Sequence, residues 1–279
     1  MIVWLASYPK SGNTLLRAIL SAYFYSNDGL FNLELLNKIR QFPVNSYFKE
    51  IGINTEDDNA VIQNYIKAQE YINKNNEINF LKTHSSFCRV NESFFTDTKN
   101  TLGVIYVIRD PRNVLTSYAH HFGVTEDESL EALIKGKILT RTNRHAITFV
   151  GPWGYHFKTW KHFEKESNYL LVNYEDLINN KKVTIIKILK FIFKIQKNEN
   201  QIINHEKLNN IIVSTEFKYM QDLERKSSFE EAKTHPKTGE KLQFFHKGPN
   251  NKWKNSLSPK FIKEIEKNFS DEMKETGYL

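Results

Sequence analysis

Residues 2–14 read Ile-Val-Trp-Leu-Ala-Ser-Tyr-Pro-Lys-Ser-Gly-Asn-Thr, and they give the clearest indication of secondary structure in the chain. Its first part, Ile2–Ser7, is a short apolar run of residues that favour β-strands. Residues 8–14 interrupt the run, and residues 15–24 have the composition of a helix. The sequence therefore predicts a strand, a tight loop and a helix. Such a loop directs backbone N–H groups and the positive end of the helix dipole at one point, which makes a site for an anion.

Two residues of the loop strengthen this prediction. Lys10 adds a mobile positive charge, and Gly12 lets the backbone come close to a ligand. A Walker A loop requires Gly-Lys followed by Ser or Thr, whereas here the lysine precedes the glycine. The loop therefore predicts an anion site that differs from the one in P-loop NTPases.

The composition is that of a globular protein. The chain has 279 residues, which fits one large α/β domain or two small ones. No apolar run approaches the roughly 20 residues that cross a bilayer, and no basic leader with an apolar segment precedes Lys10. A single cysteine, Cys88, cannot form an internal disulfide and fits a reducing compartment. We therefore expect a cytoplasmic protein.

The net charge of +7 favours an anionic ligand only weakly, because the lysines are dispersed as on a solvated face. Nucleic acid is a minor alternative, since no helix carries a dense arginine stripe. The histidines and acids of residues 120–145 lack the ligand spacing of a zinc site, and no cysteine accompanies them. The sequence therefore predicts neither nucleic-acid binding nor a metal.

A second strong signal lies in residues 102–118. Residues 102–108 form a near-continuous apolar run, as in a strand that is buried on both faces. Arg109 follows the run, Asp110 can cap the next helix, and Pro111 suits its first turn. Ligands of open α/β sheets bind beyond the carboxyl ends of the strands, so Lys10 and Arg109 should converge there. An arginine fork suits a phosphate, but Arg109 could equally pair with Asp110 or another carboxylate.

The segment Ser7–Thr14 resembles the 5′-phosphosulfate loop of the sulfotransferases that use 3′-phosphoadenosine 5′-phosphosulfate (PAPS). Further segments resemble motifs of the same family in the same order, so that the resemblance spans essentially the whole chain. These segments are Lys82-Thr83-His84, Arg109 to Ser117, Tyr174-Glu175-Asp176-Leu177, Thr215 to Met220 and His246 to Lys254.

The resemblance implies a single α/β domain over residues 1–279. Its central, mostly parallel sheet would be flanked by helices, with a P-loop-like phosphosulfate-binding loop after the first strand. Residues of about 27–60 and 120–150 would cover the acceptor site, and residues of about 225–250 would form a loop over the cofactor.

The resemblance also implies a reaction, the transfer of a sulfonate group from PAPS to a hydroxyl or, less readily, an amine. His84 would be the general base, because a neutral imidazole can accept the proton of the attacking hydroxyl. Lys10 and Lys82 would stabilise negative charge on the bridging oxygen and the sulfonate. The product would be 3′-phosphoadenosine 5′-phosphate (PAP), and no metal would be needed.

Several positions of this chain match cofactor-binding positions of the family. They are Lys10, Ser11, Gly12, Asn13 and Thr14 for the 5′ end, Arg109, Ser117, Lys247 and Gly248 for the 3′-phosphate, and Tyr174 and Phe217 for the adenine. The chain departs from the family pattern at three positions. Leu15 replaces a common tryptophan, His246 an arginine and Asn251 a glycine, although asparagine tolerates a positive φ better than most residues.

Two alternatives remain open from the sequence. The first is a nucleotide kinase or another phosphoryl-transfer enzyme, which would require a Gly-Lys-Ser/Thr loop. The second is a non-catalytic homologue that binds PAP or a glycan, which the changes at Leu15 and His246 leave open. The presence of Lys10, Lys82 and His84 together argues against it. The acceptor is expected to be a small molecule or a glycan, and a saccharide, a lipid, a phenol and a peptide tyrosine all remain possible. The oligomeric state is open.

Overall fold

The computed structural model describes residues 1–75, 77–166, 168–227 and 229–279. The strands in these residues are β1 (Ile2–Ser7), β2 (Asn79–Thr83), β3 (Arg89–Val90), β4 (Ser93–Phe94), β5 (Thr101–Ile108), β6 (Ile138–Leu139), β7 (Thr148–Phe149) and β8 (Tyr169–Asn173). The α-helices are α1 (Asn13–Tyr25), α2 (Asn45–Glu50), α3 (Asp58–Gln63), α4 (Tyr65–Ile72), α5 (Pro111–Phe122), α6 (Glu126–Lys135), α7 (Trp153–Lys161), α8 (Phe163–Glu166), α9 (Tyr174–Asn179), α10 (Lys181–Ile195), α11 (His205–Ser214), α12 (Phe217–Lys226), α13 (Trp253–Ser256) and α14 (Pro259–Glu275). Short 3₁₀ turns cover Leu33–Lys38, Asn73–Asn75 and Gly248–Asn250.

The central sheet has the strand order β2-β1-β5-β8, and all of its pairings are parallel. In the centre of the register, Trp4 of β1 lies opposite Leu81 of β2 and Val104 of β5. The strand pairs β3–β4 and β6–β7 are separate and antiparallel. The parallel sheet and its flanking helices confirm the predicted α/β fold.

Strand β1 is buried along its whole length because the sheet has a hydrophobic core on each face. Trp4 belongs to one core, together with residues of α7 and α14, and Leu5 belongs to the other, with residues of α1 and α10. Side chains of a strand alternate between the two faces, so a strand buried on both faces is apolar throughout. This explains why the run could be recognised from sequence.

The parallel sheet places four loops at one edge. β1, β2, β5 and β8 all end there, and each is followed by a segment with a predicted site residue. These residues are Lys10 after β1, His84 after β2, Arg109 after β5 and Tyr174 after β8. The chain thus brings distant parts of its sequence together at the carboxyl edge, where ligands of open α/β sheets bind.

One part of the structure differs from the prediction made from the sequence. The apolar spacing of residues 57–73 predicts one amphipathic helix, whereas the structure has two, α3 and α4. Asn64 separates them, with non-helical backbone angles (φ −110°, ψ 16°). Its side-chain amide donates to the carbonyl of Ala60 at 2.8 Å, which is the kind of local side-chain bond that competes with helix propagation.

No helix in the described part of the chain is long and apolar enough to span a membrane.

Candidate active site

A cavity of about 2180 Å³ lies at the carboxyl edge of the sheet. Every site residue predicted from the sequence lines this cavity except Ser11, which is buried. Its walls also include residues of the three predicted covering segments, 27–60, 120–150 and 225–250. The candidate site residues therefore share one space, although they lie far apart in the sequence.

The loop between β1 and α1 has an unusual backbone. Lys10 and Gly12 both have positive φ angles, of 66° and 105°. The first is uncommon for a residue with a side chain, and such strain concentrates at functional sites. No side chain in the described chain caps α1, so its first N–H groups remain available to an anion.

The side chain of Asn13 holds this loop in place. Its amide nitrogen donates to the carbonyl of Leu5 at 2.8 Å and to the hydroxyl of Ser7 at 3.1 Å. Asn13 is therefore fastened to β1 by its side chain. The hydroxyl of Ser11 is buried without a hydrogen-bond partner among the described residues.

Arg109 joins the loop to a second turn. Its Nη1 donates to the carbonyl of Lys10 at 3.1 Å and its Nη2 to the carbonyl of Gly248 at 3.4 Å. Asp110 is paired with Arg112 at 2.8 Å, so it is not the partner of Arg109. The Nε of Arg109 is buried and finds no partner in the part of the chain that the structure describes. The guanidinium is therefore held at the cavity wall, and its Nε remains available to a ligand.

Tyr174 packs between the loop and this arginine. The Arg109 guanidinium lies 4.3 Å from the centroid of the tyrosine ring, and a Cβ at Gly12 would clash with the same ring. Residue 12 therefore has to be glycine for two reasons, its positive φ and the close approach of Tyr174.

Replacing Gly12 by alanine should lower the free energy of unfolding by about 2–5 kcal/mol, because a positive φ and a steric clash add. Gly52 is a matched control, since its φ is 77° and no atom of the described residues lies within 4 Å of a Cβ there. Gly52→Ala should cost only about 1 kcal/mol. Urea denaturation measures both changes. Equal losses in the two variants would show that the Tyr174 contact is unimportant.

The turn at residues 247–251 forms the far wall. Lys247 is exposed on it, Phe217 packs against Gly248, and Ser117 faces the cavity from α5. Asn251 has a φ of −75°, so the turn does not use the positive φ that its asparagine could tolerate. Instead its amide donates to the carbonyl of Asn113 at 2.8 Å, which fastens the turn to α5.

His84 has a defined tautomer. Its Nδ1 lies 2.8 Å from the carbonyl oxygen of Ser7, and because a carbonyl can only accept, Nδ1 must carry the proton. Nε2 then carries the lone pair. Burial lowers the pKa of His84 well below its usual value, and the nearby Lys82 lowers it further. The imidazole is therefore neutral at pH 7 and able to accept a proton.

A second histidine supports the first. His156 donates from Nε2 to the carbonyl of His84 at 3.2 Å, while its Nδ1 accepts from the hydroxyl of Tyr106 at 2.8 Å. Burial lowers the pKa of His156 to about 3, which keeps this bridge neutral. The hydrogen bonds through His156 thus connect the backbone of His84 to the side chain of Tyr106 on β5.

The lysines of the site are strongly desolvated. Burial lowers the pKa of Lys10 to about 7, with Lys82 and Arg109 lowering it further and Glu231 opposing them. The Nζ of Lys10 lies 3.9 Å from the centroid of the Phe244 ring. Burial also lowers the pKa of Lys82. Crowded cations of this kind favour an anionic ligand.

Two charged residues of the site were not predicted. Glu231 accepts from Lys82 at 3.3 Å and from the hydroxyl of Thr14 at 3.3 Å, and it forms an ion pair with Arg17. Burial raises the pKa of Glu231, but Lys82 and Arg17 outweigh it, and the pKa lies well below its usual range. Glu231 occurs in a polar stretch without periodicity and Arg17 within an apolar helix, so neither gave a signal of its own.

The residues of this cavity fit a phosphorylated nucleotide. Among the described residues, a buried donor of Arg109 has no partner and no side chain caps the start of α1, while Gly12 leaves the loop open to close approach. The desolvated side chains of Lys10 and Lys82 line the same cavity. Within residues 1–75, 77–166, 168–227 and 229–279, no group of three or more histidine, cysteine or acidic side chains is placed to hold a metal ion.

Comparison with known proteins gives a family. Residues 2–277 match the model of the sulfotransferase domain. The chain is 25% identical to mouse sulfotransferase 1 family member D1, with 98% of this chain and 84% of the relative covered. It is 24% identical to flavonol 3-sulfotransferase of Flaveria bidentis, with coverage of 99% and 83%.

The fold has solved counterparts. The crystal structure of mouse sulfotransferase SULT7A1 complexed with PAP matches with a TM-score of 0.60 and 18% identity, over 98% of this chain and 84% of that one. The architecture is thus that of sulfotransferases of known structure. Since the family model covers nearly all of the sequence, the chain belongs to the sulfotransferase domain family, whose members are enzymes that use PAPS as the sulfonate donor.

Proposed function

We propose that this protein transfers a sulfonate group from PAPS to a hydroxyl, or less readily an amine, of a small-molecule or glycan acceptor. The observation that carries the proposal is the neutral His84, whose Nδ1 is hydrogen-bonded to Ser7 so that Nε2 carries the lone pair, and which lines the same cavity as Lys10 and Lys82. A base beside desolvated cations suits a reaction in which an acceptor loses a proton while negative charge builds up on the donor.

The proposed donor site has two ends. The loop of Lys10, Ser11, Gly12, Asn13 and Thr14 binds the 5′-phosphosulfate, chiefly through its backbone and Lys10. Arg109, Ser117, Lys247 and Gly248 bind the 3′-phosphate, and Tyr174 and Phe217 lie along the adenosine. The support is that all of these residues except Ser11 line one cavity, and that Arg109 bonds to backbone carbonyls at both ends.

The donor supplies the sulfonate group, and the residues of the chain supply acid–base and electrostatic functions. His84 accepts the proton of the attacking hydroxyl at Nε2. Lys82 stabilises the sulfonate as the new sulfur–oxygen bond forms, and Lys10 stabilises the leaving phosphate oxygen as the old bond breaks. The lysines thereby provide the positive charge that phosphoryl-transfer enzymes take from magnesium.

The acceptor side is proposed to lie under residues 27–60 and 120–150. Residues of both segments line the cavity, and so do residues of 225–250, which are proposed to cover the donor. Because one relative is named flavonol 3-sulfotransferase, flavonols and other phenols are the first class of acceptor to screen, followed by saccharides.

Calorimetric titration tests the donor assignment. PAP should bind with a micromolar or lower Kd, and ATP with magnesium should bind much more weakly. Tight binding of ATP with magnesium would favour the phosphoryl-transfer alternative. Absence of PAP binding by folded protein would refute the donor site. Binding of PAP without sulfonate transfer from PAPS to any screened acceptor would favour the non-catalytic alternative.

The affinity for PAP should depend on pH through Lys10. Its pKa of about 7 means that the amine is largely neutral at pH 8, and a bound phosphate raises that pKa. Binding at pH 8 therefore takes up a proton, and the Kd should rise by up to about tenfold between pH 7.5 and 8.5. Titration in two buffers of different ionisation enthalpy measures the uptake. Lys10→Arg, which keeps its charge, should abolish this dependence, and an equal pH dependence in both proteins would contradict the assignment to Lys10.

A further inference from the structure

The carboxylate of Glu231 lies among the groups assigned to the donor. Its Oε2 is 3.3 Å from the Nζ of Lys82 and 3.3 Å from the hydroxyl of Thr14, and its Oε1 is bonded to Nη1 of Arg17. Lys82 is proposed to contact the sulfonate, and Thr14 belongs to the loop proposed to bind the 5′-phosphosulfate. An anion that belongs to the chain itself therefore sits where an anion of the donor would bind.

Arg17 is built to hold an anion at this place. It is only 5% exposed, and its Nε and Nη2 donate to the carbonyls of Ile39 and Leu36 at 3.2 and 2.9 Å. These two bonds fix the plane of the guanidinium and leave Nη1 for Glu231. Thr14 and Arg17 are three residues apart on α1, so they lie on the same face of the helix. A pre-oriented arginine of this kind binds a tetrahedral oxyanion as readily as a carboxylate.

Aromatic side chains pack beside the chain near Glu231 and along the cavity. Phe229 stacks on Phe245 with ring centroids 5.5 Å apart, and Phe244 covers the Nζ of Lys10. The side chain of Glu231 retains 25% of its exposure, so it borders the open cavity. Because both groups are negative, the Glu231 carboxylate would repel a sulfonate bound to Thr14, Arg17 and Lys82.

We propose that Thr14, Arg17 and Lys82 form the sulfonate subsite, that Arg17 is a further sulfonate-binding residue, and that Glu231 occupies this subsite until the donor displaces it. This inference rests on the proposed function, because it takes PAPS as the ligand. It goes further by assigning Arg17 a role and by making Glu231 an internal competitor for the donor.

The competition has a measurable signature. PAPS carries the sulfonate and PAP does not, so removing the charge of Glu231 should affect PAPS much more. If Glu231 fills the subsite nine-tenths of the time, its loss should lower the Kd of PAPS by about tenfold. The Kd of PAP should change by less than about threefold. A carboxylate that merely neutralised buried cations would give the opposite result, since its loss would loosen the site and weaken both ligands.

The experiment compares Glu231→Gln with Glu230→Gln in calorimetric titrations with PAPS and PAP. Glu230 is the neighbouring residue with the same charge, but it is exposed and pairs with Arg144. We expect Glu231→Gln to melt at a lower temperature and to bind PAPS about tenfold more tightly. Glu230→Gln should leave both ligands unchanged. Unchanged or weakened PAPS binding by folded Glu231→Gln would overturn the proposal.

Two further measurements complete the test. Adding Arg17→Gln to Glu231→Gln should remove the gain in PAPS affinity. If that double variant does not fold, Arg17→Lys is combined with Glu231→Gln instead, and part of the gain should be lost. Retention of the whole gain would overturn the role of Arg17. Inorganic sulfate should raise the melting temperature of Glu231→Gln more than that of the wild type, and an equal effect would overturn the subsite. Because sulfate contains no nucleotide, this result can be read even if PAPS and PAP bind to none of the proteins.

Discussion

Replacing His84 by asparagine is expected to lower kcat for sulfonate transfer by about 10²–10⁴-fold, the usual contribution of a general base. The Kd for PAP should stay within about twofold, because the role proposed for His84 is to contact the acceptor proton and not the nucleotide. The low pKa of His84 keeps the base neutral, so the wild type should lose activity only when the pH falls well below 6.5. This acid limb should be absent from the residual activity of His84→Asn. Rates are measured with the first acceptor that a screen of phenols and saccharides identifies.

His121→Asn is the matched control for this experiment. His121 also lines the cavity, where it lies edge-on to Phe122 and Phe244. Its replacement should change kcat by less than about tenfold, since it has no proposed part in proton transfer. Equal losses of kcat in the two variants, or a large loss of PAP affinity in His84→Asn, would contradict the role of general base.

Replacing Arg109 by alanine should weaken PAP binding by about 10²–10³-fold. Removing one partner of a desolvated charge pair costs about 2–5 kcal/mol, and each 1.4 kcal/mol is a factor of about ten in Kd. Arg109 also donates to the carbonyls of Lys10 and Gly248, so its loss should loosen both of the loops proposed to bind phosphate. Calorimetric titration with PAP measures the change.

Arg109→Lys separates charge from geometry. A lysine keeps the positive charge but lacks the planar fork that bonds to two loops at once. Its PAP affinity should therefore lie between those of the wild type and Arg109→Ala. An Arg109→Ala protein that binds PAP as tightly as the wild type would remove Arg109 from the donor site.

Local signals explain which parts could be predicted. The run Ile2–Ser7 is apolar because it is buried on both faces, and Asp110 accepts a hydrogen bond from the backbone N–H of Arg112, as a helix cap should. These features depend on near neighbours, so a single sequence carries them. The same holds for the segments that resemble family motifs.

Tertiary features escaped prediction. Glu231 and Arg17 meet across 214 residues of sequence, and nothing adjacent to either marks the pair. The break at Asn64 interrupts an apolar spacing that continues past it, so the periodicity alone predicted one helix. The sequence draws attention to the backbone of Asn251, whereas its side chain makes the contact that holds the turn. The partners of Arg17 and Asn251 lie far away in the sequence, whereas Asn64 bonds to Ala60 within the predicted helix, so there a local side-chain bond overrides the apolar spacing.

The strand order β2-β1-β5-β8 has a consequence for how this protein matures. Because β1 lies between β2 and β5, the walls of the cavity come from segments that leave the ribosome at widely separated times, from Lys10 to Gly248. In the proposed donor site, a nascent chain that ends before Gly248 lacks part of the wall assigned to the 3′-phosphate. Donor binding at that site would therefore stabilise only the completed fold, by RT ln(1 + [L]/Kd), and would leave partly folded chains to chaperones and proteases.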